Sequence, residues 1–248
     1  MQRYFIELAY NGSKYNGWQI QPNAPSVQET LNKALSLILK QEINVTGAGR
    51  PDPGVHASFF IAHFETDTPI ADPSKLCYKL NSLLDNSIAI REIYPVQPGA
   101  HARFTALSRT YKYYIDKTKD PFTHEFAFRT HPLPDIQLMN EACNILLEYE
   151  DFTSFSKLHT DSKTNICHLM FARWEEQGNQ LVFTIKADRF LRNMVRAIVG
   201  TLLEVGKGTL TLDGFRQVIE SKDRCRAGSS VPGKALFLCD IEYPDCRI

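Results

Sequence analysis

The sequence predicts an α+β protein with a central, mainly antiparallel sheet flanked by helices. Three observations predict it. Stretches with strand character, alternating or rich in aromatic and β-branched residues, recur at 3–10, 58–65, 109–115, 168–175, 180–187 and 235–243. Amphipathic helical stripes lie among them, without the regular strand–helix alternation that builds a wholly parallel sheet. The chain has 248 residues, 43% hydrophobic and 23% charged, the balance of a globular protein with one large domain or two closely packed ones. Two similar α+β halves, 1–100 and 101–248, are expected to share one sheet.

The elements follow in order. The first strand, RYFIELAY, ends at the turn signal Asn11-Gly12. Ser26 and Glu29 fit a capping box, the serine capping a helix and the glutamate reaching back. Behind them Val27, Leu31, Ala34, Leu35, Ile38 and Leu39 fall on one apolar stripe, which predicts a helix to about Lys40. Residues 47–54 are a loop punctuated by three glycines and two prolines, which no helix accommodates. A strand at 58–65, a helix over about 73–85 and a strand through IAIREIYPV come next. The second half opens with the strand RTYKYYI and a helix over about 135–149, with Ile136, Met139, Cys143, Leu146 and Leu147 inward. Strands at 168–175 and 180–187 precede a long helix from about Phe190 to Val205. Leu191, Met194, Val195, Ile198, Val199, Leu202 and Val205 form its apolar face, and Gly206 suits its C-terminal cap. A helix over about 212–221 leads to the last strand, where Ala235, Phe237, Cys239, Ile241 and Tyr243 alternate with more polar positions.

Charge and cysteine usage narrow the function classes. Twenty-eight Lys and Arg balance 28 Asp and Glu. That argues against a uniformly basic nucleic-acid binder and leaves local basic stripes open. The six cysteines form no CxxC pair and read as reduced thiols of a cytoplasmic protein, with neither disulfides nor metal. No run approaches the roughly 18 uncharged apolar residues of a membrane span. The opening residues read as a strand and not as a secretory leader.

Three stretches carry chemistry. In GAGRPDPGVHA (47–57), glycines and prolines stiffen the backbone around Arg50 and Asp52. Asp52 there is a nucleophile, a general base or a turn-forming residue with a surface arginine beside it. Asp52 with His56 also suggests a metal, but no third ligand at suitable spacing follows. In HARFTALSRTYKYYI (101–115), Arg109, Tyr111, Tyr113 and Ile115 share one strand face, with Lys112 and Tyr114 on the other. Aromatics interleaved with cations suit base stacking beside phosphate contacts, or a half-buried strand whose cations snorkel. In ADRFLRNMVRAIVG (187–200), Arg189, Arg192, Asn193 and Arg196 fall at i, i+3, i+4 and i+7, one polar stripe if the segment is helical. Such a stripe meets phosphates, holds a buried carboxylate, or is a solvated face.

Together these stretches resemble the tRNA pseudouridine synthase A family along nearly the whole chain. YNGSKYNGWQIQPNAPSVQETL resembles the family's opening segment, and GAGRPDPGVHA its signature GRTDxGVHA. HARFTALSRTYKYYI is similar to its central Arg/Tyr strand, FLRNMVRAIVGTLLEVGKG to its late helix, and AGSSVPGKALFLCDIEYP to its closing motif. The resemblance implies the pseudouridine synthase fold and isomerisation of uridine to pseudouridine at tRNA positions 38, 39 and 40, in the anticodon stem-loop. It implies Asp52 as the catalytic aspartate, Tyr111 as the tyrosine stacking on the flipped base, and Arg196 as the basic partner of the aspartate. Arg50 is then the residue that helps flip the nucleotide. Apart from the resemblance, Arg189, Arg192 and Lys112 on its strand are expected to add sequence-independent phosphate contacts, and Arg109 is a further substrate-binding candidate. It also implies a homodimer with tRNA as partner, no cofactor and no metal. Two departures stand out: Pro51 replaces the usual Thr with Pro53 after the aspartate, and Ser229-Ser230 replace the usual Pro-Thr. Pro51 and Pro53 favour one alternative, an RNA-binding or chaperone-like protein that keeps the fold without turnover. A carboxylate hydrolase needs a paired acid near Asp52, and its motif offers none.

Overall fold

The computed structural model describes residues 1–157 and 164–248. They form two compact units, one of residues 1–107 with 238–248 and one of residues 108–237. A single cut at residue 100 does not anticipate that the closing residues return to the first unit. They return because the last strand joins the sheet there.

The first unit holds β1 (Gln2–Tyr10), β2 (Thr46–Gly47), β3 (His56–Thr66), β4 (Ile88–Pro95) and most of β8 (Leu236–Glu242). Its strand order is β4-β1-β3-β8, with β2 on β3. β1 runs antiparallel to both neighbours, Phe5 facing His63 on one side and Tyr94 on the other. Consecutive residues Tyr4, Phe5 and Ile6 are all buried, so both faces of this central strand are covered. Helices α1 (Val27–Leu39) and α2 (Pro73–Leu83) complete the unit. The predicted capping box forms by half. The Ser26 hydroxyl accepts from the Glu29 amide at 3.2 Å, while the Glu29 carboxylate turns forward to Lys33 at 2.7 Å. Asp72 caps α2 by accepting from the Lys75 amide at 2.9 Å, and Pro73 fills the first turn, where no amide is needed.

The second unit carries β5 (Ser108–Asp116), β6 (Leu169–Gln177) and β7 (Gln180–Ala187) in the order β5-β7-β6, antiparallel throughout. Helices α3 (Ile136–Leu146), α4 (Met194–Gly206) and α5 (Leu212–Ser221) pack with it. The α+β class with antiparallel pairing is as predicted. Trp174 stacks on Phe183 at 5.0 Å in the core. α4 is buried almost all round, Thr201 and Gly200 included, which suits a helix with so little polar surface.

One helix boundary needs correction. α4 starts at Met194, four residues later than its apolar periodicity predicts. Asn193 has φ +65, in the left-handed region, and the Met194 amide bonds back to the Leu191 carbonyl at 3.1 Å in a turn. Leu191 is buried from that turn, so the apolar spacing continues past the real start. Arg189, Arg192 and Asn193 therefore lie outside the helix, and the predicted stripe reduces to Arg196. At the other end Gly206 is the last helical residue, and Gly208 takes the positive φ, +75°. Among the described residues no helix is long and apolar enough to cross a membrane.

Candidate active site

In the first unit, Asp52 lies between β2 and β3, half-buried, between the buried Pro51 and the exposed Pro53. Its carbonyl accepts from the Val55 amide at 3.1 Å, closing a turn in which Gly54 has φ +75. The segment after β1 buttresses this turn. Trp18 donates its amide to the Pro51 carbonyl at 3.2 Å, and its ring, 2% exposed, lies 4.3 Å from that of Phe60. Gly17, at φ +90, passes so close that a Cβ would stand 2.8 Å from the Pro51 carbonyl oxygen. A Cβ on Gly47 would meet the Trp18 indole at 2.5 Å, and one on Gly12 would overlap the Val55 carbonyl. The glycines of YNGSKYNGW are thus required by close approach to the aspartate's loop.

The prolines cost that turn none of these bonds, since they run through the carbonyls of Pro51 and Asp52 and the amides of Trp18 and Val55. His56, 1% exposed, accepts the Gly12 amide on Nδ1 at 2.9 Å, so its ring anchors backbone. Among the described residues no group of three or more His, Cys, Asp and Glu is placed to hold a metal. Arg50 is exposed.

In the second unit, Tyr111 sits opposite Ile185 on β7, half-buried, its ring perpendicular to that of Phe190 at 5.2 Å. Arg109, opposite Ala187, donates to the Asp188 carbonyl at 2.7 Å. The Asp188 carboxylate accepts the amides of His168 and Arg189, both at 2.7 Å. Arg189 donates its guanidinium to the Thr164 carbonyl at 3.2 Å. Arg109, Tyr111 and Arg189 therefore gather at the β5/β7 end. Lys112 lies opposite Thr184, half-buried, and Arg192 is exposed.

Arg196, on the first turn of α4, is fixed by the strap 228–231. Its Nε donates to the Val231 carbonyl at 2.8 Å, and the Val231 amide donates to the Arg196 carbonyl at 3.2 Å. Two glycines let strap and helix touch. A Cβ on Gly200 would overlap the Ser229 carbonyl, and one on Gly228 would sit 2.9 Å from the Gly200 carbonyl carbon and the Thr201 amide nitrogen. The Gly228 amide donates to the Thr201 hydroxyl at 2.9 Å. Ser230 receives Asn193 at 2.6 Å and Arg224 at 2.9 Å, so it keeps the hydroxyl that the family's usual threonine supplies. Beside it, the buried Tyr113 donates to the Pro232 carbonyl at 3.0 Å. Burial pushes its phenol far above the ordinary range, against a smaller opposing pull from the Arg196 charge.

Several contributors were not singled out in the sequence: Trp18 and Gly17 behind the acid loop, Phe190 against Tyr111, and the Val231 carbonyl on Arg196. Their signals are the Gly-Trp pair in the opening segment and an aromatic directly after Asp188-Arg189.

A family model described as tRNA pseudouridine synthase matches residues 142–244. The tRNA pseudouridine synthase A of Parabacteroides distasonis is 59% identical over 245 residues, 99% of this chain and 97% of that protein. That of Bacteroides thetaiotaomicron is 58% identical over 248 residues, covering 99% and 92%. That of Francisella tularensis subsp. tularensis is 38% identical over 249 residues, covering 99% and 95%. Similarity of this depth spans both units and every motif quoted above, and so the chain belongs to the tRNA pseudouridine synthase A family.

Proposed function

We infer that this protein isomerises uridine to pseudouridine in the anticodon arm of tRNA, with Asp52 as its catalytic aspartate. The observation that carries the reading is a half-buried carboxylate on a stiff turn clamped by Gly17 and Trp18, in a chain that aligns end to end with tRNA pseudouridine synthases A. The reaction breaks the bond from ribose C1′ to N1, turns the uracil, and joins C1′ to C5. N1 gains a proton and C5 loses one, so no redox partner enters. The site must supply a carboxylate, a proton route and a clamp on the detached uracil.

Asp52 supplies the first. Tyr111, held edge-on by Phe190, stacks on the base, and its hydroxyl relays the proton. Arg196, aimed by the Val231 carbonyl, takes the role the family resemblance gives it, the basic partner of the aspartate. The target is unreachable inside a stacked stem, so the nucleotide is extruded, at a cost of a few kcal/mol that is lowest near a loop. Arg50 fills the space it leaves. Lys112, Arg189 and Arg192 meet phosphates, and Arg109 holds the β7 end. The protein acts in the cytoplasm as a homodimer, which widens a local basic cleft on a chain of zero net charge.

The test is incubation with unmodified tRNA, followed by primer extension after carbodiimide treatment. Wild type is expected to give stops in the anticodon arm. Asp52→Ala and Asp52→Asn are expected to give none while still binding tRNA. Binding without stops by wild type supports the non-catalytic alternative.

A further inference from the structure

Residues 101–107 form a turn to which the uridine chemistry assigns no part. The amides of Arg103 and Phe104 both donate to His101 Nδ1, at 3.1 and 3.2 Å. The Thr105 amide donates to the His101 carbonyl at 2.9 Å, and the His101 amide to the Thr105 hydroxyl at 2.9 Å. Beneath it, the Ala102 amide donates to His63 Nδ1 at 3.0 Å, and the Tyr243 hydroxyl to the Ala102 carbonyl at 2.5 Å. So dense a set of bonds holds the tip rigid, and the tip is Phe104.

Its ring is 76% exposed, lies 4.4 Å from the His101 ring, and has the Arg103 guanidinium 5.5 Å from its centroid. Burying a phenyl ring would stabilise the fold, so the fold gains nothing by displaying it. A displayed ring with a cation beside it is suited to an unpaired base, which stacks on the ring while its phosphate meets the cation. Because the turn is already ordered, little freedom is lost on binding.

We propose that Phe104 is a stacking contact for an unpaired nucleotide of the RNA substrate, with Arg103 on the adjoining phosphate. The proposal rests on the tRNA reading above and adds to it a contact outside the Asp52 loop. Unmodified tRNA is titrated into full-length wild type, Phe104→Leu and Phe104→Tyr, and pseudouridine formation is followed in the same preparations. Phe104→Leu is expected to weaken the tRNA Kd about tenfold and raise KM with little change in kcat, while Phe104→Tyr restores both. Equal affinity of Phe104→Leu and wild type overturns the proposal. So does a loss that Phe104→Tyr fails to restore, because the face of the ring is then not what the RNA uses. The stacking is read from Kd and the isomerase reading from product. Wild type that binds tRNA and makes no pseudouridine therefore sinks the activity alone, and the Kd series still decides the contact.

Discussion

At the scale of single residues, His63 gives the sharpest pH dependence. It is 7% exposed, and burial, followed by the charges of His101 and Arg3, lowers its pKa from 6.5 to about 4, against a smaller pull from Glu65. Between those values the unfolded chain binds a proton that the folded one refuses. Stability is intact above about pH 6.5 and falls as pH drops toward 4, by roughly 3 kcal/mol from this group. Asparagine keeps an acceptor for the Ala102 amide and does not titrate. Urea midpoints measured from pH 7 to pH 4.5 should therefore fall less steeply in His63→Asn than in wild type. Gly17 tests the aspartate's buttress. Gly17→Ala places a Cβ 2.8 Å from the Pro51 carbonyl oxygen at φ +90, and is expected to cost about 1–3 kcal/mol in denaturant titration. Its turnover should drop more than its tRNA affinity, since the displaced backbone is that of Asp52 rather than an RNA-facing side chain.

At the scale of elements, the strap 228–231 against α4 makes a separate prediction. Gly200→Ala drives a Cβ into the Ser229 carbonyl, so the strap must move and take the Val231 carbonyl away from Arg196. The expected outcome is a loss of about 1–3 kcal/mol in thermal or denaturant unfolding, with kcat reduced at least tenfold. Ser230→Ala removes only the acceptor of Asn193 and Arg224 and should cost less, about 1–2 kcal/mol. The Gly200–Ser229 approach is not visible in the sequence, because segments far apart in the chain meet there through backbone and glycine, and the Asn193–Ser230 bond likewise joins side chains 37 residues apart. What was legible followed local rules. α5 spans the predicted 212–221, and β7 the predicted 180–187. Ser26 caps α1 because its hydroxyl and the Glu29 amide are near neighbours in the chain. The start of α4 was misplaced because apolar spacing reports burial, and Leu191 is buried whether or not it is helical. The acid loop stood out by composition, yet its supports did not: nothing in the spacing of Gly12, Gly17 and Gly47 says which backbone or ring approaches them.

At the scale of the whole molecule, a protein with 28 positive and 28 negative side chains must hold a polyanion by local concentration of cations. Among the arginines, Arg192 is exposed, Arg109 donates to the Asp188 carbonyl and Arg189 to the Thr164 carbonyl. A cation that meets phosphate releases counterions, so tRNA affinity should fall linearly in log Kd against log salt. Replacing one phosphate contact should lower the magnitude of that slope by about one. Arg192→Ala is expected to do so, whereas Arg50→Ala, which removes the residue that fills the vacated stack, should weaken tRNA binding with little change in slope. Arg109→Ala should instead lower the unfolding midpoint by leaving the β7 end untied, with little change in slope. The measurement is tRNA binding over a salt series for each variant, beside urea unfolding of the same preparations. A flat salt response in wild type would remove the phosphate role from Lys112, Arg189 and Arg192 at once. An Arg109 variant with a reduced slope and unaltered stability would move that residue from holding the fold to holding the RNA.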